Sequence, residues 1–320
     1  WEHPYPLFDP NNTIVTDTFY CMDNTAQMTI DYEGHAHVVF GITRAVSNDD
    51  FFGWVYNQYD DGIVYWNDMM EPFSGEINAL APPQLGYAES ELVMDVNYIG
   101  WMQDVDGNGL IELEGLQSYR FSTGMSSMPS ITVDEYGQRF VIFSSNTEGF
   151  VYTGGSDPVN YKHLWARAYA NTVWGSFMDL TGDIAHLFDE AYYGCMAKNS
   201  DNNIHYAYFA DVAPGTAEDG DHDYHDNYLT YGMLSKSDLI TGIGEVDPIK
   251  ESNVSQNYPN PFSGTTRVNV TLESAANLSL LVTNMTGQVV LEITKGQQNA
   301  GLYSFEIDGS QLGSRIYFYT

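Results

Sequence analysis

The chain has 320 residues, with 11 Lys and Arg against 43 Asp and Glu, a formal net charge of −32. So acidic a surface repels phosphate backbones and anionic lipid headgroups, which excludes nucleic acid as a partner and leaves cations as the natural small ones. At 43% hydrophobic residues, with 24 Tyr, 16 Phe and 6 Trp, it can fill the cores of two domains and does not read as disordered.

The chain begins Trp1-Glu2-His3-Pro4, which reads as a mature product from which a signal peptide has been removed. Short β-branched and aromatic runs bounded by Gly, Asn, Asp and Pro then recur throughout, predicting an all-β protein. A repeat is visible in them. One segment runs from Asp31 through Gly34 and His37 to Phe40, a second from Asp134 through Gly137 and Phe140 to Phe143, and a third from Asn199 through Asn202 and His205 to Tyr208. In each, Asp or Asn opens a turn, Gly or Asn three residues later takes φ > 0, and a hydrophobic strand follows. A further aromatic strand comes after each, at 63–66, 164–167 and 228–231. Residues 95–121 read as a divergent fourth unit. Multi-strand units of this length predict propeller blades, each too thin to bury its faces without neighbours. With the N-terminal region closing a fifth, the expected fold of residues 1–245 is a β-propeller of about five blades; six blades or a two-sheet sandwich fit the same pattern. Met178 to Tyr193 reads as a helical turn or an irregular loop.

Residues 1–245 hold 7 basic and 37 acidic residues, and residues 246–320 hold 4 and 6, so the net charge changes from −30 to −2 across the Gly-rich stretch 241–244. That shift marks a domain boundary, with 246–254 as linker and 255–320 as a small immunoglobulin-like β-sandwich. The second domain opens on Asn257-Tyr258-Pro259-Asn260-Pro261-Phe262, ahead of strand-like runs at 267–272, 278–285, 289–293 and 301–307. With Gly287-Gln288-Val289 and Ile316-Tyr317-Phe318-Tyr319, it resembles the C-terminal sorting domain of the type IX secretion system. The resemblance implies export by the type IX secretion machinery and a location that is extracellular or on the outer cell surface. Arg315 stands where that family has Gly, and the sequence ends at Thr320 where the family continues for another strand. Either that last segment has been cut, or it is not seen, or a neighbouring molecule pairs with this C-terminal edge strand and supplies it; the last alternative carries an expectation of self-association. No run approaches the roughly 20 apolar residues of a transmembrane helix.

Asp104, Asp106, Asn108, Leu110 and Glu112 place oxygen ligands at alternating positions around two glycines, a candidate calcium loop similar to that of an EF-hand, though Gly115 replaces the terminal Glu. A structural calcium ion is therefore expected. Asp219, Asp221 and Asp223 form a weaker cluster that offers calcium their carboxylates or a transition metal the nitrogens of His222 and His225; a solvated loop fits the same residues. His37, Phe140 and His205 hold equivalent repeat positions, which fits an aromatic-sized slot.

Catalytic motifs are scarce. Asp9, Asp134 and Glu190 can be nominated as glycosidase carboxylates, but with 37 acids in this domain a pair arises by chance. Aromatic clusters such as Phe51 to Tyr56 and Tyr65-Trp66 fit a glycan platform or a blade core. Cys21 and Cys195 lie in no nucleophile motif. The expectation is a non-catalytic adhesion, glycan- or surface-protein-binding protein, or a repeating subunit of an extracellular assembly. The alternative is a secreted, calcium-braced glycoside hydrolase or lyase.

Overall fold

The computed structural model describes residues 15–47, 55–116, 123–155, 157–198, 201–218, 220–241, 257, 262, 264–272, 275–284, 289–313 and 317–319. The chain divides into two units, residues 1–244 and 245–320.

In the first unit the turns at Asp31 and Asp134 share one chemistry. Asp31 accepts from the N–H groups of Glu33 (2.9 Å) and His35 (2.8 Å), and Gly34 takes φ +95° to close the turn between β1 (Phe19–Ile30) and β2 (Ala36–Val46). Three more strands, β3 (Val55–Asn57), β4 (Ile63–Asn67) and β5 (Tyr98–Gly100), complete an antiparallel sheet in the order β1-β2-β4-β5, with β3 also on β2. Side chains alternate between its faces, as the strand period requires. Tyr20, Phe40, Ile42 and Val64 pack against Phe73, Leu80, Ala81 and Leu92 of the following connection. Val39, Ile63, Tyr65 and Ile99 face a second sheet.

That second sheet comprises β6 (Ser126–Val133), β7 (Arg139–Tyr152), β8 (Val159–Ala170), β9 (Val173–Trp174) and β10 (Met178–Asp179), ordered β10-β8-β7-β6 with β9 on β8. Asp134 accepts from the N–H groups of Tyr136 and Gln138, both at 3.0 Å, around Gly137 at φ +74°. Ile131, Val141, Phe143 and Trp165 meet the first sheet. The alternate residues Phe140, Ile142, Leu164, Ala166 and Ala168 meet a third. Covered on both sides, β6 is buried at every position and β8 at all but one.

The third sheet, β11 (Glu190–Met196), β12 (Asn203–Asp211) and β13 (Tyr228–Ser235), turns on Asp201, which accepts from Asn203 N–H at 2.7 Å. Ala191, Met196, Ile204, Tyr208 and Ala210 form its inner face, joined by Leu239 of the short helix α1 (Lys236–Thr241). On its other face Phe209, Leu229, Tyr231 and Met233 are exposed.

The protein is all-β, but the five-bladed ring is corrected: three sheets stack face to face, and no closed ring is found among the described residues. Among its described residues, the supposed fourth unit does not form its own sheet. Its β5 strand joins the first sheet, and the connection before it is taken up in covering that sheet's outer face. Residues 178–193 contain β10, turns and the start of β11, and no helix.

The second unit is immunoglobulin-like. Strands β14 (Thr265–Leu272) and β17 (Gly301–Asp308) pair in one sheet; β16 (Val289–Gln298), β15 (Ala276–Asn284) and β18 (Tyr317–Tyr319) form the other. Val268, Val270, Leu278, Leu280, Val282, Phe305 and Ile307 fill the space between them. The proposed linker 246–254 lies outside the described residues.

Candidate functional site

The first strands of the three sheets, β1, β6 and β11, lie side by side, and each is interrupted at the same level. The register shifts between Met22 and Ala26, between Ser127 and Ser130, and between Tyr192 and Cys195. Met128 and Tyr193 sit in left-handed backbone, at φ +54° and +53°. Two large non-glycine side chains in that region store about 1–3 kcal/mol each and mark a place where the surroundings dictate the backbone. Side chains replace the missing ladder bonds: Thr25 Oγ1 accepts from Met128 N–H (2.9 Å), Gln27 from Ile131 N–H, and Ser130 Oγ from Met196 N–H (3.0 Å). The bulges line a groove of about 280 Å³.

Met128 and Tyr193 also form part of the wall of a larger cavity, about 420 Å³, beneath the connection between β12 and β13. Asp211, Glu218, His222, His225 and Asp226 line it, with Tyr192 and Tyr224 as aromatic walls. Here the weaker predicted cluster resolves. Asp219 lies outside the described residues. Asp221 Oδ2 accepts from Thr216 N–H at 2.9 Å and so staples the loop. Asp223 has an exposed side chain, and its carbonyl accepts from His222 Nδ1 at 2.7 Å. It is the histidine between these carboxylates that enters the cavity, with Asp211, eleven residues upstream, facing it.

In the candidate calcium loop, Asp104 Oδ1 accepts from Gly107 and Asn108 N–H and its Oδ2 from Gly109 N–H (2.8, 3.2 and 2.7 Å). Gly107 and Gly109 adopt φ +71° and +89°, which these tight turns require. The Asn108 amide donates to Asp106 and Glu112, both at 3.1 Å, while the Leu110 side chain is exposed. A residue the sequence reading missed completes the arrangement: buried Glu148 of β7 accepts from the N–H groups of Val105 (2.9 Å) and Glu112 (3.1 Å). Asp104, Asp106 and Glu148 each bring one oxygen to within 4.8 Å of the others. Only the fold shows this, since β7 is reached across the second sheet's first hairpin.

Two of the three glycosidase candidates hold structural contacts. Asp134 holds its turn and pairs with Lys236 (3.2 Å), while Glu190 is fully buried and accepts from Lys162 N–H (2.6 Å). Asp9 lies outside the described residues. Burial pushes the Glu190 carboxyl well above the usual range, yet Glu190 opens onto neither cavity described above. Lys162, also buried, donates from Nζ to the carbonyls of Gly124 (2.8 Å) and Met125 (2.9 Å) and to Ser127 Oγ (3.2 Å). Burial pulls its ammonium down to about 7, against the opposing charges of Asp23 and Asp61. Asp23 is pushed up to about 6 by burial, against hydrogen bonds from Thr25 and Gly124 and the Lys162 charge. Arg44 pairs with Asp60 and Arg167 with Asp95, and Arg139 is stacked between Tyr65 and Tyr169. Cys21 and Cys195 are both free thiols; burial raises the first to about 12, which leaves it unreactive. Of the aromatic clusters, Phe51 to Trp54 lie outside the described residues, and Tyr65 is core.

Residues 255–314 match the family model of the FlgD Ig-like domain. This overturns the resemblance to a type IX sorting domain. Of the motif that carried it, Phe262 packs against the core, with Gly309 leaving room for its ring, and Asn257 donates to Thr266 Oγ1 at 3.0 Å. Tyr258, Pro259, Asn260 and Pro261 lie outside the described residues. No propeller family is identified for the first unit. The chain matches no curated protein. Among the described residues, no helix is long and apolar enough to cross a membrane.

Proposed function

We propose that this is a non-catalytic protein of the cell surface or extracellular medium, a structural or binding subunit whose acidic first unit associates with further copies by stacking sheet on sheet. The outer face of the third sheet carries this reading. In the first sheet, the face that packs on the next sheet includes His37, whose Nδ1 meets Tyr65 Oη at 2.7 Å and whose Nε2 meets Asp31 at 3.0 Å. In the third sheet His205 meets Tyr231 Oη at 2.7 Å and Asp201 at 3.3 Å. The wiring is the same and the environment is not: His37 and Tyr65 are 2% and 1% exposed, Tyr231 65%. With Phe209, Leu229 and Met233 beside it, this is a packing face without a neighbour among the described residues.

At the other end of the stack, Met22, Met28 and Ile30 are exposed beside a groove formed by Val38, Phe40, Trp66 and Leu80. A second copy seating that face on the third sheet would extend the stack as blades extend a propeller, in a head-to-tail contact. Strand β18, at the edge of its own sheet, offers a further route to self-association. The matched family is named for FlgD, of flagellar hook assembly, and a match confined to 255–314 supports a structural module within an assembly. Light scattering over a concentration series tests the reading. Because the first unit's net charge is about −30, association should strengthen with salt, which screens repulsion. Leu229→Asp should weaken association without lowering the melting temperature. A wild-type chain that stays monomeric at high concentration in both low and physiological salt would overturn it.

We also propose calcium at Asp104, Asp106 and Glu148, where oxygen-only ligands suit a hard cation and the weak affinity of extracellular modules suffices. Binding restricted to the folded state adds about 2.7 kcal/mol at a hundredfold excess over Kd. Calcium should therefore raise the melting temperature of the wild type and not of Glu148→Gln; equal curves with calcium and with chelator would remove the ion from this account.

A further inference from the structure

We infer that Asp211 and His222 are two ligands of a divalent transition-metal site of the zinc class, in the cavity beneath the β12–β13 connection and separate from the oxygen-only cluster at Asp104. The tautomer is fixed by the partner. His222 Nδ1 lies 2.7 Å from the carbonyl oxygen of Asp223, and a carbonyl carries no hydrogen, so Nδ1 is the donor. In the neutral ring Nε2 is then a lone pair. A histidine held by Nδ1–H to a backbone carbonyl, with Nε2 turned inward, is the arrangement that orients metal-binding imidazoles.

That lone pair has no hydrogen-bond partner, although the side chain is only 3% exposed. A buried nitrogen left unsatisfied destabilises the fold unless something occupies the space in front of it. Asp211 Oδ2 stands 3.9 Å away, on a side chain only 6% exposed. This is too far for a hydrogen bond. It is close to the span of two ligands on one ion, since bonds of about 2.0–2.2 Å set nitrogen and oxygen about 3.4 Å apart at the tetrahedral angle and about 4 Å apart at a wide one. Asp211 Oδ1 is anchored by Ala213 N–H at 3.3 Å, which leaves Oδ2 directed at the histidine.

Further donors line the same cavity. The His225 ring stacks on His222 with centroids 5.6 Å apart, and Asp226 lies next in the chain. Imidazole nitrogen beside carboxylate selects zinc, nickel or cobalt over calcium, which takes oxygen alone. The strongly negative unit around it concentrates cations of any kind, so the nitrogen supplies the discrimination.

Isothermal titration of the full chain with Zn²⁺, in calcium-containing buffer so that the Asp104 cluster is filled, tests the assignment. One saturable equivalent is expected, with affinity lowered at least about 100-fold in both His222→Ala and Asp211→Asn and unchanged in Glu148→Gln. Co²⁺ bound to the wild type should show the visible absorption of a nitrogen- and oxygen-ligated ion, and this readout does not depend on any variant folding. Absence of saturable Zn²⁺ binding to the wild type, or equal affinity in folded His222→Ala, would overturn the site and leave a water between the two side chains.

Discussion

The second and third sheets are built from one repeat and differ in what covers them. Both open on an acid-capped turn, both place their first strand beside its neighbours through a bulge, and both alternate side chains along β7 and β12. In the second sheet both alternating sets are apolar and buried, one against each neighbour. In the third, Ile204, Tyr208 and Ala210 are buried and Phe209 and Tyr231 are exposed. A strand's own sequence therefore sets which residues share a face, while burial of that face depends on whether another sheet is present.

The comparison is tested most severely by matched phenylalanines. Phe143→Ala removes a fully buried ring between the first and second sheets, and an expected loss of about 3–5 kcal/mol follows from lost transfer energy plus a cavity. Phe209→Ala at the exposed face should change the stability of the dilute protein by less than about 0.5 kcal/mol. Denaturant titration of both reads the difference directly. Equal losses would mean that the outer face of the third sheet is already covered within the chain.

A second test concerns the charges enclosed between the sheets. Lys162→Met leaves Asp23 and Asp61 without the cation that offsets them, and loss of one partner from such a cluster costs about 3–5 kcal/mol. The sign of the pH dependence is fixed by Asp23. Its folded value, about 6, lies above the ordinary 3.8, so its contribution is fully present below pH 3.8 and is lost as pH rises through 6. Without Lys162 that loss deepens. Lys162 acts in the same direction: its folded value, about 7, lies below the ordinary 10.5, so the wild type gains stability as pH rises from 7 and the variant does not. The gap between variant and wild type should be wider at pH 8 than at pH 5, by urea titration at each pH; an equal gap would show that Asp23 and Lys162 do not titrate as a shifted pair in the fold.

Much of this was legible in the sequence and some was not, for identifiable reasons. The turns at Asp31 and Asp134 and the strands after them follow from local side-chain-to-backbone bonding, which a sequence displays. The number of sheets does not, because residues 95–121 carry strand-like composition whether they found a new sheet or add β5 to an old one; only the pairing of Tyr98 and Gly100 with Val64 and Ile63 decides. The Asp104 loop announced itself through spacing, whereas Glu148 is far off in sequence and is brought in by β7. Likewise His222 read as one of several acidic-loop residues until the fold set Asp211 opposite it. The motif at Asn257 to Phe262 was over-read, since a residue that pins a sandwich entrance looks the same in any family that has one.

The smallest test uses the two histidines that share their wiring. His37→Phe keeps an aromatic ring in a slot where the second sheet has Phe140, but it removes the bonds to Tyr65 Oη and Asp31. The expected cost is about 1–3 kcal/mol, because Tyr65 and Asp31 lose a buried partner. Partial burial acts to raise the Asp31 carboxyl, but hydrogen bonds from His37 and from the N–H groups of His35 and Glu33 outweigh it and hold the group at about 2. Since the folded value lies below the ordinary 3.8, this contribution is present above pH 3.8 and is lost as pH falls through 2. The variant should therefore differ most from wild type near neutral pH and converge on it in strong acid. His205→Phe, which loses the equivalent partners Tyr231 and Asp201 at an exposed face, should stay within about 0.5 kcal/mol in the dilute protein. At concentrations where copies associate, the two substitutions should become more alike, because stacking would bury His205 as the second sheet buries His37. If His205→Phe remains silent in the associated state, the third sheet's outer face is not the contact.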